Sequence, residues 1–255
     1  AVARWHSVSR FRLLLVTIGV TPLILCWTAP ATLIDGALSQ LSGGHLRVVS
    51  ASGTLWSGHG QLEIRDTLGN SVYASNIDWT LNKRALLLGR LSLSYHAMNQ
   101  TIPTTVQLGF SSIGFTDMAF DLPAAALMSL LPAAQGYGLG GRLNFSSQSL
   151  SLTRSATVGT AVLRWQDASS GLAPVAPLGS YALHLVGQPS PVEFTGTLST
   201  LRGPLQLDGT AQLGITQTPV VQIIAGLPEN DYQTLAPFIR LIGVETAGNQ
   251  FLIDL

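Results

Sequence analysis

Charge is what this sequence has least of. Asp, Glu, Lys and Arg make up 10% of its 255 residues, against roughly 25% in an ordinary soluble domain. Lys83 is the only lysine, and no basic run with interleaved aromatics occurs, which argues against a nucleic-acid surface. The single cysteine, Cys26, excludes an internal disulfide and any multi-cysteine metal site. A body otherwise free of cysteine is compatible with an oxidising compartment.

Catalytic signatures are lacking too. There is no His-Glu-x-x-His, no Gly-x-Ser-x-Gly and no phosphate-binding glycine loop. His6, His45, His59, His96 and His184 have no second ligand at metal-site spacing. A hairpin between His45 and His59 brings at most two histidines together, a weak metal site. Glu63, Asp66 and Asp78 read as solubilising groups on an outer sheet face rather than as an acid–base pair. The expectation is a protein that is not an enzyme, with no catalytic residue, metal, cofactor or small-molecule substrate.

What is present is apolar. Hydrophobic residues make up 46% of the chain, with 26 Gly and 13 Pro, a composition that suits many short strands joined by tight turns. The length allows one large or two small domains. The zero net charge hides an asymmetry. Arg4, Arg10 and Arg12 precede the first apolar run and leave 10 basic against 13 acidic residues for the remainder.

Residues 11–28 are predicted as a transmembrane helix. Leu13, Leu14, Leu15, Val16, Ile18, Val20, Leu23, Ile24 and Leu25 supply its apolar body, and no charge follows Arg12 until Asp35. That stretch is long enough to cross a hydrocarbon core of about 30 Å. Arg4, Arg10 and Arg12 set the N-terminus in the cytoplasm, and Trp27 stands at the interfacial anchor position. Pro22 kinks such a helix, which a membrane accommodates. A cleaved signal peptide shares the charged start and apolar middle, but the Ala29-Pro30-Ala31 site carries a proline unsuited to cleavage. No later run is long enough for a second span. The expected organisation is therefore a cytoplasmic stretch over 1–10, the anchor over 11–28, a short periplasmic helix or linker over 29–44, and a periplasmic β-rich domain over 45–255. The localisation this implies is a bacterial inner membrane, crossed once.

Within the body a small pattern recurs: a glycine, then apolar residues at alternate positions. It begins at Gly60, Gly89, Gly141, Gly203 and Gly209. Alternation places Leu91, Leu93 and Tyr95 on one face of a strand and Ser92, Ser94 and His96 on the other. The fold class expected is mainly β: antiparallel, curved or sandwich-like sheet or sheets with a few short helices, after one N-terminal transmembrane helix. The helices are predicted over 28–41, 82–88, 122–131 with Asp121 as a cap, and 229–242, where Leu235, Phe238, Ile239 and Ile242 share a face. A final strand runs from Gln250 to the end. A Gly-, Ala- and Pro-rich loop near 169–177 leaves two alternatives, one sheet throughout or two sub-sheets dividing there.

The order of several motifs resembles one family. Ser50-Ala-Ser-Gly-Thr-Leu-Trp-Ser-Gly58 is followed by Ile77-Asp-Trp79-Thr-Leu and then by Ala85-Leu-Leu-Leu-Gly-Arg-Leu-Ser-Leu93. Gly159-Thr-Ala-Val-Leu-Arg-Trp165, Leu178-Gly-Ser-Tyr181, Gly203-Pro-Leu-Gln-Leu-Asp-Gly209 and Leu241-Ile-Gly243 continue the series. Together they resemble protein N of the type II secretion system, also called general secretion pathway protein N. The resemblance implies an accessory inner-membrane component of the machine that exports folded proteins through the outer membrane. Its implied partners are other inner-membrane subunits of that machine, with the lipid bilayer met through the N-terminal helix. The family is also distantly similar to β-groove proteins that handle lipid at the inner membrane, a likeness of architecture.

The family motif residues Gly53, Thr54, Leu55, Trp56, Gly58, Trp79, Gly89, Trp165 and Gly243 are the candidate interface positions. Trp56 is either an anchor for a partner or a core residue with Gly53 and Gly58 supplying turn geometry. Trp79 and Trp165 read as core. Two other functional classes are distinguishable. A lipid groove is favoured by apolar residues on both faces of the same strands. A hydrolase requires a pocket that collects His and carboxylate side chains.

Overall fold

Alternating apolar and polar residues, broken by short turns, favour pairing of neighbouring strands as an antiparallel meander. A computed structural model describes residues 27–97, 100, 102–128, 130, 136–153, 155–189, 193–214, 220–246 and 248–254. Its strands are β1 (Leu46–Gly53), β2 (Ser57–Arg65), β3 (Ser71–Leu81), β4 (Leu91–Ala97), β5 (Thr104–Leu108), β6 (Ser112–Pro123) and β7 (Gly140–Thr153). They continue with β8 (Thr157–Ser169), β9 (Gly179–Gln188), β10 (Glu193–Arg202), β11 (Gln206–Gly214), β12 (Val220–Gly226), β13 (Val244–Glu245) and β14 (Gln250–Asp254). All 14 belong to one sheet, in sequence order except that β14 lies between β12 and β13. Four short helices lie within the described residues: α1 (Thr32–Leu41), α2 (Lys83–Leu87), α3 (Ala124–Met128) and α4 (Glu229–Ile239).

The register carries one apolar face through the sheet. Val48 lies opposite Leu62, Trp79 opposite Tyr95, Leu122 opposite Leu143, Leu163 opposite Leu183 and Ala225 opposite Phe251. A strand that gains one residue swaps its two faces, so the change at the centre of β6 and β7 must be matched. Asp117 takes a positive φ of 52°, and the β7–β8 register shifts between Ser146 and Leu150. The two irregularities sit side by side and keep Phe115 and Phe120 on the same face. Bulges of this kind also raise local twist. Here the sheet curls enough for the Tyr73 hydroxyl on β3 to donate to the Asp121 carbonyl on β6.

Three clusters close parts of the apolar face. Ile34 and Leu38 of α1 pack on Val48 and Trp79. Ala124 and Ala126 of α3 pack with Leu122, Leu143 and Trp165. Leu235, Phe238 and Ile239 of α4 pack on Phe251, Ile253 and Ala225. Between the clusters the face is only half-buried, as at Val106, Leu163, Leu183 and Leu198.

Several expectations need correction. The expected mainly β, antiparallel class holds, and of its alternatives the architecture is one continuous sheet and not a sandwich; β8 pairs with β9 across the 169–177 loop, with Ala168 opposite Gly179. The helix predicted over 28–41 begins only at Thr32. Proline biases the residue before it away from helical geometry, and Ala29 O and Ala31 N are engaged instead by Leu55 N and Gly53 O. Leu33 and Leu41 of its predicted apolar face are exposed. In the 122–131 segment helix is described only over Ala124–Met128. Asp121 does not cap it, because β6 runs through Pro123 and the Asp121 carboxylate pairs with Arg142 instead. Helix α4 stops at Ile239, leaving Leu241 and Ile242 exposed. The expected helix over 82–88 and the final strand are present as α2 and β14. Among the described residues no helix is long and apolar enough to cross a membrane. The predicted anchor up to Cys26, with Arg4, Arg10 and Arg12, lies outside the described residues.

Candidate functional site

The meander gives the sheet two unlike ends. Residue 27 enters beside the β1–β2 turn, and this proximal end also carries α2 and the β5–β6 turn. The distal end carries the β2–β3 turn, α3, the 170–178 loop and α4.

At the proximal end the Gly-Thr-Leu-Trp motif is a docking point for the entering chain. Pro30 forms a bridge with Thr54, and Leu55 N donates to Ala29 O at 2.8 Å. Gly53 turns the chain with a φ of 94°, and Thr54 N closes the turn on Ser57 O at 2.9 Å. Trp79 lies beneath, 3% exposed, its Nε1 donating to Thr54 O at 3.3 Å. Gly58 makes this possible: a Cβ there would stand 2.6 Å from the Trp79 ring and 2.4 Å from Ser52 O. Trp56 is half-buried and faces Lys83, whose Nζ lies 5.4 Å from its ring centroid. The same ammonium sits 3.8 Å from the centroid of Trp27, within cation–π range.

The remaining motif residues are spread along the sheet. Gly89 follows α2 with a φ of 69°. Trp165 is half-buried, its Nε1 donating to Gly140 O at 2.9 Å, with its ring 6.3 Å from that of Tyr181. Burial pushes the Tyr181 phenol well above its ordinary pKa, and its hydroxyl donates to Leu205 O. Gly243 packs against β14, where a Cβ would meet Ile253 at 2.8 Å. The motif therefore splits into a proximal group (Gly53 to Gly58, Trp79 and Gly89) and two distant positions.

Side-chain chemistry gathers in one other place. Register sets His59 opposite Asp78 and Asp78 opposite His96 on the outer face, and Ser52 Oγ lies 2.7 Å from His59 Nε2. A serine nucleophile needs its histidine held by a third group. The structure shows no hydrogen bond between His59 and Asp78, and His59 and Ser52 are exposed. His45 lies opposite Arg65 at the other end of the hairpin, its Nδ1 3.1 Å from the Arg65 carbonyl, so the two histidines do not meet. Glu63 pairs with Arg65 and Asp66 accepts from Leu68 N and Asn70 N, so these carboxylates are structural. Among the described residues no three of His, Cys, Asp and Glu are placed to hold a metal ion.

The first edge of the sheet is closed. Asp35 of α1 accepts from Val48 N at 2.9 Å and binds Arg47 through two nitrogens, while Ser42 Oγ accepts from Leu46 N at 2.9 Å. These side chains occupy the N–H groups that an added strand needs. The Arg47 guanidinium, ahead of the Val48 amide, holds the Asp35 carboxyl below its ordinary pKa.

The sequence model of the type II secretion system (T2SS), protein N, matches residues 44–253, which is almost all of the sheet. The chain belongs to the type II secretion system protein N family. No curated protein matches it, and no solved structure does. The family makes this chain a type II secretion component and ties it to other subunits of that system. The Trp27–Lys83–Trp56 cluster was not legible as a site in the sequence. The signals available were the lone lysine and the lack of any carboxylate between Asp78 and Asp117.

Proposed function

We propose that the chain is a non-catalytic, scaffold-type subunit of the type II secretion inner-membrane platform. It crosses the inner membrane once, through residues 11–28 with the N-terminus in the cytoplasm, and presents its sheet to partner subunits in the periplasm. The family match over 44–253 carries this reading. A tether confines the body to two dimensions and raises its effective concentration near other bitopic subunits, so weak contacts suffice. The contacts fall on the outer sheet face and the sheet ends, since α1 occupies the β1 edge. The test is purification of the detergent-solubilised platform together with exoprotein secretion in a deletion strain. Co-purification and a secretion defect are expected. Absence from every platform complex together with normal secretion would overturn the reading.

A second reading is supported by the open apolar face. At the kink around Asp117, Phe120 and Phe145 stack at 4.9 Å in a cleft of about 670 Å³ that takes in Ile102, Met118 and Ala161 together with polar residues such as Gln100, Asn144 and Thr160. A face of this kind suits an acyl chain. Native mass spectrometry of the purified protein decides it: co-purifying lipid supports a groove function, and its absence removes it.

A further inference from the structure

We propose that the proximal end of β1–β6 is a membrane-docking face, on which the body rests against an anionic bilayer surface next to its own anchor. The proposal deepens the reading above and rests on it only in taking residues 11–28 to lie in the membrane.

The first observation is a cluster of apolar tips. Phe110 in the β5–β6 turn is 91% exposed and Leu88, just after α2, 77% exposed, with Leu86 and Trp27 exposed nearby. Scattered exposed apolar residues are ordinary, but these are held together. The Phe110 ring lies over Gly89, where a Cβ would stand 2.7 Å from Cε2. Only glycine leaves that space and also accepts the positive φ there.

The second observation is charge. Lys83, Arg84 and Arg90 flank Leu86 and Leu88 in the chain, and residues 79–116 contain no Asp or Glu. None of the five ion pairs among the described residues includes any of the three cations. A basic rim around aromatic and aliphatic tips is the composition of a headgroup-level contact, with cations on anionic phosphates and apolar groups just below them.

The third observation fixes the depth. An anchor ending at Trp27 sets that ring at the interface. With Lys83 Nζ 3.8 Å from it, α2 is brought to the same level. Long basic side chains cover apolar surface with their stems while keeping the charge at the headgroups.

The test uses the full chain reconstituted in vesicles of phosphatidylglycerol and phosphatidylethanolamine. Native Cys26 is spin-labelled in the unaltered chain. Leu88→Cys, Phe110→Cys and Leu68→Cys are labelled one at a time in a Cys26→Ser background. Leu68 is 85% exposed in the distal β2–β3 turn and serves as the reference. Collision with oxygen and with a water-soluble nickel chelate is then measured. The expected result is shielding from chelate at 26, 88 and 110, with free access at 68. Replacing Arg84 or Arg90 by Gln should shift the docked equilibrium roughly fivefold per cation and raise chelate access at 110. Chelate access at 88 and 110 equal to that at 68, with 26 shielded, overturns the docking face and leaves the anchor standing. A chelate-accessible label at 26 overturns the anchor and the docking face with it. Shielding at 110 that needs co-reconstituted secretion subunits also overturns the proposal, in favour of a protein contact.

Discussion

The two ends of the sheet use charge in opposite ways. Towards the distal end three carboxylates are matched by arginines: Asp121 with Arg142, Asp167 with Arg202, and Glu245 with Arg240. There α4 closes the apolar face over Phe251, and Tyr232 adds a hydrogen bond to Glu245 that holds this carboxyl below its ordinary pKa ahead of Arg240. At the proximal end of β1–β6 the cations have no carboxylate and the apolar tips have no cover. In a chain so short of charge, three cations that enter no ion pair among the described residues, Lys83 meeting only the faces of Trp27 and Trp56, mark the end that has something else to meet. The distal end still exposes single apolar side chains such as Leu68 and Leu241, but it has Arg–carboxylate pairs and a helix over its core, and the proximal end of β1–β6 has neither over Leu88 and Phe110.

Substitutions that open the distal cap should have the largest effect. Phe251 is fully buried beneath α4, so Phe251→Ala should cost about 3–5 kcal/mol, measured by urea unfolding. A loss near zero would mean that α4 is not a true cap. At the proximal end the equivalent interior change is Gly58→Ala, which drives a Cβ into Trp79 and the β1 backbone. Overpacking of this kind costs about 1–3 kcal/mol, and Trp79 fluorescence should report the displaced ring.

The edge closure by Asp35 comes next. Asp35→Ala removes the partner of Arg47 and of the Val48 amide, at a cost of about 1–3 kcal/mol. Because the folded carboxyl lies below its unfolded value, its contribution is complete above pH ~4 and is lost as pH falls through the folded pKa. An acid titration of thermal stability should therefore steepen less in Asp35→Ala than in the parent. The smallest effects belong to the surface. Arg202 and Asp167 are mostly exposed, so Arg202→Ala should change stability by less than about 1 kcal/mol. Phe110→Ser should leave stability within about 0.5 kcal/mol while weakening vesicle contact, which separates the proximal surface from the proximal core.

Much of the strand pattern was legible because alternation is local: Leu91, Leu93 and Tyr95 do share a face. The short helix after Asn82 was legible for the same reason, since the Asn82 side chain caps it by accepting from Arg84 N and Ala85 N. Helix limits were not. Pro30 stops α1 from starting at Thr28 through a pairing with Thr54, 24 residues away, and β6 overruns Asp121 because a cross-strand partner, Arg142, outcompetes a local cap. The single-sheet architecture was hidden because whether a meander closes, splits or runs on depends on the matched bulges at Asp117 and Ser146–Leu150. The proximal cluster was hidden because Lys83 meets Trp27 and Trp56, and Phe110 meets Gly89, only through strand order.

In the proposed topology the sheet stands outside the cytoplasm, tethered at its proximal end. Protease added to sealed spheroplasts, with the C-terminal body followed by immunoblot, tests it most directly. The account predicts that the body is digested while cytosolic markers survive; a body that stays intact until the spheroplasts are lysed would contradict it.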